Sequence, residues 1–261
     1  MKHFSHNKST LKSKLKNKEL SIGSWLTIPH QAVIEILGTA GFEWLTIDAE
    51  HSPISIETIM NLIGHIQGNG MQALVRVSKN EEVVIKRVLD AGADGIIVPM
   101  ICNKEEAKQA VDYVKYPPLG KRGVGLNRAQ KYGTAFDTYQ KWVKDEVVVI
   151  AQIEHIDAVN NLEDIFSVSG IDGIMVGPYD LSASMGHPGE YERSDVQAAL
   201  LKVDNVAKKL NKPLGFHVID SEYNKILEKI NKGYSLLAFS LDFFFLGDKA
   251  REEMKLLKSK L

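Results

Sequence analysis

Four stretches of this chain place residues able to do chemistry at or just beyond the end of an apolar run. Trp44-Leu45-Thr46-Ile47 leads into Asp48-Ala49-Glu50-His51, and Ala73-Leu74-Val75 leads into Arg76. The run over 147–153 contains Gln152 and ends at Glu154, while Gly173-Ile174-Met175-Val176 runs into Gly177-Pro178-Tyr179-Asp180. Glu154 and Asp180 are two carboxylates that could converge on one hard divalent cation, leaving its other positions to water and a bidentate substrate. The plainer alternative makes Asp180 a helix cap and Glu154 the acceptor of a loop amide. Asp48 and His51, three residues apart, have the spacing of a carboxylate that orients an imidazole, a common way to build a general base. Arg76 has an apolar neighbour on each side, so inside a fold it needs an anionic partner. A substrate carboxylate or a developing enolate oxygen would serve, as would a structural pair with Glu50 or Glu154. The turn at Gly177–Asp180 would expose unpaired amides and form a seat for an anion.

Competing chemistries use some of the same residues. Paired carboxylates also hydrolyse glycosides, but Trp25, Tyr179 and Phe216 are the only obvious aromatics for a sugar cleft. A Schiff-base mechanism needs a desolvated lysine, and Lys79 is the near candidate.

Residues from four separate segments can meet only if those segments are strands opening on one face. From Ser21 onward, short apolar runs alternate eight times with longer segments of helical period. Strands are expected over 21–26, 44–48, 73–77, 95–99, 147–153, 173–176, 214–218 and 236–241. Helices are expected over 31–40, 56–67, 82–91, 104–115, 158–166, 195–210, 223–231 and 243–258. Strand cores such as Ile96-Ile97-Val98 are apolar throughout, which suits a sheet covered on both faces. Gly41, Gly92 and Gly233 stand where helices should end.

Eight units in 261 residues favour closure into an α/β (β/α)8 TIM barrel over an open sheet. Such barrels run to roughly 250 residues and build their active sites at the C-terminal ends of the strands. Residues 1–20 are expected to be a basic N-terminal extension or short helix, and 21–261 one barrel domain closing in an extended C-terminal helix. The connection from Tyr116 to about Tyr132, with Pro117-Pro118, Arg122 and Arg128, exceeds ordinary loop lengths. It is either a catalytic loop or an excursion on the opposite face.

The charge balance of 32 basic and 33 acidic residues excludes the basic surface that nucleic acid requires. A small molecule is the expected partner. No apolar run reaches the roughly 18 residues of a membrane span. The first 20 residues carry Lys2, Lys8, Lys12, Lys14, Lys16 and Lys18 but no apolar stretch of signal-peptide length. Cys102 is the single cysteine, which excludes an intrachain disulfide and suits a reducing, cytoplasmic setting.

Taken together, Ala40-Gly41-Phe42-Glu43-Trp44, Asp48-Ala49-Glu50-His51-Ser52-Pro53, Leu74-Val75-Arg76-Val77, Val98-Pro99-Met100, Tyr116-Pro117-Pro118 with Arg122-Gly123, Gln152-Ile153-Glu154 and Gly177-Pro178 with Asp180-Leu181-Ser182 form a pattern over nearly the whole chain. It resembles the class II, metal-dependent pyruvate aldolases of the HpcH/HpaI group, which includes 2-keto-3-deoxy-sugar-acid and 4-hydroxy-2-oxoheptanedioate aldolases. The resemblance implies a phosphoenolpyruvate/pyruvate-type barrel in which Glu154 and Asp180 ligate Mg²⁺ or Mn²⁺, with Co²⁺ or Zn²⁺ as substitutes. The ion would bind a 2-oxo acid and ease removal of a methyl proton. His51, oriented by Asp48, would move that proton and Arg76 would hold the enolate oxygen. Gln152 would support the metal ligand, and Gly177, Pro178, Tyr179 and Asp180 would bind the substrate carboxylate. It further implies a hexamer, a trimer of dimers with the last helix exchanged, in which Asp90 approaches a neighbour's site.

Three positions depart from that group: Ser78-Lys79 replaces a common Pro-Trp pair, Tyr179 replaces a small residue, and Phe216-His217 replaces aliphatics. Trp25, Phe216 and His217 are therefore the candidate pocket for the aldehyde. Two other readings remain. An acyl-CoA lyase of the malyl or citryl type would need a basic landing, for which Lys121, Arg122 and Arg128 are available, and a non-catalytic metabolite-binding barrel would need none of this machinery.

Overall fold

The computed structural model describes residues 9–261, so Lys2 and Lys8 of the basic N-terminal stretch lie outside the described residues. Eight parallel strands close into a barrel in strict chain order. They are β1 (Ser21–Leu26), β2 (Trp44–Asp48), β3 (Gln72–Arg76), β4 (Gly95–Val98), β5 (Val148–Ile153), β6 (Gly173–Val176), β7 (Leu214–Val218) and β8 (Leu236–Leu241). The helices are α1 (Leu11–Asn17), α2 (Gln31–Thr39), α3 (Ile56–Gly68), α4 (Glu82–Asp90), α5 (Lys104–Val114), α6 (Phe136–Asp145), α7 (Ile156–Asn160), α8 (Leu162–Ser167), α9 (Pro178–Ser184), α10 (Ser194–Lys209), α11 (Tyr223–Asn231) and α12 (Asp242–Lys258). Among the described residues no helix is long and apolar enough to cross a membrane.

Alternation along each strand divides the core in two. One set of side chains faces the helices, among them Ile47, Val75, Ile96 and Phe216. The other fills the barrel, among them Trp25, Trp44, Leu74, Ile97 and Met175. Leu11 and Leu15 of α1 are buried with this inner set, so α1 plugs the N-terminal end of the barrel. A helix of seven residues is not stable alone. Each leucine contributes about 1.5–3 kcal/mol on burial, and Lys12 adds an ion pair to Asp172 and a hydrogen bond to the Val147 carbonyl. The β1–β8 seam is tied at the other end by buried Asp242, whose carboxylate accepts the amides of Thr27 at 2.8 Å and Ile28 at 2.7 Å.

The long connection after α5 contains a 3₁₀ turn at Arg128–Gln130 and then α6, a helix the sequence reading did not include. It folds beneath the barrel, where Arg122 pairs with Asp90 at 2.6 Å and Arg128 donates to the Ala91 carbonyl at 3.0 Å. It is thus the opposite-face excursion, not a catalytic loop of its own mouth. The single helix expected over 158–166 is two short helices, α7 and α8, which meet at Asn161.

Candidate active site

Register places the functional side chains at one level of the C-terminal mouth. Asp48 is paired across β2–β3 with Arg76, and Ile153 across β5–β6 with Val176, so Glu154 and Gly177 follow side by side. A Cβ added at Gly177 would lie 3.1 Å from Glu154 Oε2, which shows how closely β5 approaches the start of α9. Glycine is what leaves room for the carboxylate.

Glu154 is buried, and its two oxygens are already oriented. Oε1 accepts the Met100 amide at 2.7 Å and Oε2 accepts the Gln152 side-chain amide. Met100 holds a left-handed φ of 53°, a conformation rare for a non-glycine residue and typical of strained functional turns. Burial raises the Glu154 pKa above the ordinary carboxylate value; the two hydrogen bonds oppose the shift, and the nearby Asp180 charge adds to it. Asp180 is exposed in the first turn of α9. Repulsion between two carboxylates is the electrostatic condition that a cation relieves.

Among the described residues no group of three or more His, Cys, Asp or Glu side chains is placed to hold a metal ion, and the convergent hard oxygens at the mouth are those of Glu154 and Asp180. Two hard oxygens of this kind suit Mg²⁺ or Mn²⁺ with water and substrate completing the sphere. The Gln152 carbonyl oxygen is buried without a partner, an acceptor that a water in that sphere would satisfy.

Arg76 is held by a fork: Nε donates to Asp48 Oδ1 and Nη2 to Asp48 Oδ2, both at 2.9 Å. The guanidinium also lies 4.4 Å from the centre of the Trp25 ring and 3.3 Å, through Nε, from Glu50 Oε2. Burial works to raise the Asp48 pKa, but Arg76 overrides it and leaves the carboxyl below its usual value. Burial raises the Glu50 pKa, and Arg76 offsets only part of that rise.

His51 departs from expectation. Asp48 does not hold its imidazole; Asp48 Oδ1 accepts the backbone amides of Glu50 and His51, at 3.1 and 3.4 Å, while the carboxylate faces Arg76. The His51 side chain is 67 % exposed, and the carboxylate nearest its ring is Glu50, 3.7 Å from Nε2. The loop expected from sequence is at the mouth, but the Asp48 side chain is turned to Arg76 and to the loop backbone and not to the imidazole.

The expected aldehyde pocket is also divided. Trp25 and His217 are together, with ring centres 5.1 Å apart, beneath Arg76. Burial, reinforced by the Arg76 charge, pushes the His217 pKa down to about 3, so this imidazole is neutral at working pH. Phe216, by strand alternation, faces outward against Tyr234 and Lys229 and does not reach the mouth. Tyr179 is half exposed at the rim and lies over Gly189. Ser182 fixes that rim by accepting the Gly189 amide at 2.9 Å and donating to the Tyr179 carbonyl at 2.7 Å.

Two other candidates lose their functional basis. Lys79 is exposed and paired with Glu81 at 2.7 Å, which raises its pKa, the opposite of what a Schiff-base lysine needs. Of the basic landing proposed for CoA, Arg122 is buried against Asp90, Arg128 is bound to Gln67 and Ala91, and Lys121 pairs with Asp112; all three belong to the opposite face. Asp90, at the lower end of α4, is held by Arg122 and by Gln130 at 3.2 Å, on the face away from its own mouth.

Residues 21–242 match the family model described as HpcH/HpaI aldolase/citrate lyase. The chain is 36 % identical over 247 residues to the 2-dehydro-3,6-dideoxy-6-sulfogluconate aldolase of Pseudomonas putida, which covers 94 % of this chain and 96 % of that protein. It is 38 % identical over 219 residues to the 5-keto-4-deoxy-D-glucarate aldolase of Escherichia coli, covering 83 % and 85 % respectively. A crystal structure of an HpcH/HpaI aldolase/citrate lyase family protein from Burkholderia cenocepacia superposes with a TM-score of 0.90 at 31 % identity, over 95 % of this chain and 98 % of that one. By fold, by the extent of the sequence match and by the residues gathered at its mouth, the chain belongs to the HpcH/HpaI aldolase/citrate lyase family.

Proposed function

We propose that this protein is a carbon–carbon lyase that cleaves a 4-hydroxy-2-oxo acid of the 2-keto-3-deoxy type to pyruvate and an aldehyde, reversibly, with a divalent ion held by Glu154 and Asp180. The observation that carries the reading is the facing of the Glu154–Asp180 pair and the Asp48-held Arg76 across one barrel mouth. Relatives named as aldolases on two different sugar-acid derivatives support it. A divalent ion, Mg²⁺ or Mn²⁺ with Co²⁺ or Zn²⁺ as substitutes, would supply Lewis acidity at the substrate carbonyl when bound.

The chain's own residues do the rest. The amides of Tyr179 and Asp180, in the first turn of α9, lack intrahelical partners and receive the substrate carboxylate beside Gly177 and Pro178. His51 takes the proton of the C4 hydroxyl as the C3–C4 bond breaks. The electron pair moves to the C2 oxygen, where the Arg76 guanidinium faces the developing charge. The His51 imidazolium then returns the proton, through water, to C3, which gives pyruvate and restores the neutral imidazole. Trp25 and neutral His217 line the floor below, and Tyr179 bounds the rim where the aldehyde leaves. Residues 21–261 act as one barrel domain behind the N-terminal segment, and α12 is exchanged within a hexamer in which Asp90 meets a neighbour's mouth.

The test is pyruvate release from a panel of 4-hydroxy-2-oxo acids by purified protein, before and after chelation and with Mg²⁺ or Mn²⁺ restored. Activity that chelation abolishes and metal restores is the expected result. Activity indifferent to chelator would defeat the metal-dependent mechanism, and turnover of acyl-CoA substrates alone would favour the thioester lyase.

A further inference from the structure

We propose that His217 and Trp25 together bind one hydroxyl group on the aldehyde portion of the substrate, His217 Nε2 accepting from it and Trp25 Nε1 donating to it. His217 is thereby a specificity residue that selects a hydroxylated aldehyde over its deoxy counterpart. This rests on the aldolase reading above.

Three observations carry it. The first is a pair of unsatisfied atoms. His217 Nε2 and Trp25 Nε1 are both closed to solvent and neither has a hydrogen-bond partner, although the two rings lie 5.1 Å apart. Buried polar atoms are seldom left so, and each calls for an explanation.

The second is that the two atoms have complementary roles. The His217 ring bonds to the Ser240 backbone in the sense that favours protonation, which is an N–H donating to the carbonyl. Nε2 is the nitrogen without a partner, so Nδ1 carries that hydrogen and Nε2 the lone pair. Ser240 is itself fixed: its φ is 52°, its carbonyl accepts Ser24 Oγ at 3.2 Å, and its hydroxyl donates to the Ile219 carbonyl at 2.9 Å. The indole N–H of Trp25 can only donate. One O–H group set between the rings satisfies both atoms, whereas a carboxylate or sulfonate oxygen has no hydrogen to offer Nε2 and meets its lone pair.

The third is position. In the closed barrel β2 leads into the His51 loop, β3 ends at Arg76, and β5 and β6 lead into Glu154 and Asp180. The arc left for the rest of the substrate is β7, β8 and β1, from which His217 and Trp25 turn toward each other. The Ser240 hydroxyl of β8 is already engaged.

The experiment measures addition of pyruvate to lactaldehyde and to propanal, which differ by one hydroxyl, using the full enzyme supplied with Mg²⁺ or Mn²⁺. The quantity is the ratio of kcat/KM for the two aldehydes. Comparing ratios between enzymes cancels the aldehydes' own reactivities and any loss common to both. Wild type should favour lactaldehyde about tenfold, and His217→Leu should remove that preference. Trp25→Phe, which keeps a ring and deletes the N–H, should lower the ratio about fivefold. His217→Gln, which restores an acceptor, should recover part of the preference, and with Trp25→Phe it carries the test if His217→Leu does not fold. A preference that these variants leave within about twofold of wild type assigns the pair of atoms to a resident water and overturns the proposal. So does a wild type that exchanges the pyruvate methyl protons with D₂O yet shows no preference or accepts neither aldehyde, and in that case the aldolase reading stands. A wild type that neither exchanges nor condenses sinks the aldolase reading and the proposal with it.

Discussion

Arg76 shows how much of this site depends on direction and not on composition. Its charge could be anticipated from a lone arginine between apolar neighbours, but its fork to Asp48 and its seat over Trp25 could not. Two acidic residues, Asp48 and Glu50, lie within ion-pair distance of it, and spacing along a chain does not say which way each side chain points. Lysine at position 76 keeps the charge and loses the fork; Arg76→Lys is expected to lower kcat about a hundredfold, measurable by steady-state pyruvate release. Phe216 provides the contrast. Phe216 and His217 both depart from the aliphatics common in the resembled group, yet alternation along β7 turns Phe216 to the outer layer and only His217 inward. Phe216→Leu should therefore leave the kinetics unchanged and cost about 1 kcal/mol in urea unfolding. Glu154 and Asp180 were legible because strand ends are legible; Met100, which orients Glu154 through its amide, carries no side-chain signal at all.

At the scale of elements, all eight strands were readable from apolar runs bounded by turn residues, within one or two residues at each end. The missed element, α6, had a signal: Phe136, Tyr139 and Val143 stand at helical spacing, and the last two are buried. The glycines and prolines before it carry the stronger turn signal. The split between α7 and α8 falls at Asn161, where a helix-period pattern continues in sequence while the backbone turns. The inner barrel is held by shape at one point above others. A Cβ at Gly23 would lie 2.1 Å from the Trp44 ring, and Trp44 has no exposed surface into which to move. Gly23→Ala should cost about 3 kcal/mol, read as a lowered denaturation midpoint, and Ala at exposed Gly68, where nothing lies within contact distance, should not.

At the scale of the whole molecule, the two ends of the barrel have different work. The N-terminal end is closed by α1 and by the connection after α5, both tied with ion pairs, whereas the C-terminal end gathers the carboxylates, Arg76 and the rim. Beyond both, α12 exposes Phe243, Leu246, Met254, Leu256 and Leu257, more apolar surface than a helix facing water needs. If α12 is exchanged between subunits, Leu246→Asp combined with Leu257→Asp should shift the sedimenting mass from a hexamer to smaller species. The central claim is enolisation of pyruvate between the carboxylate pair and Arg76, and it can be tested without knowing the aldehyde. The measurement is exchange of the pyruvate methyl protons with D₂O, followed by proton NMR in the presence of Mg²⁺ or Mn²⁺. The account predicts exchange that chelator stops, that metal restores, and that Glu154→Gln abolishes. Exchange that persists through chelation and in Glu154→Gln, or its absence from folded, metal-supplied wild-type protein, would contradict it.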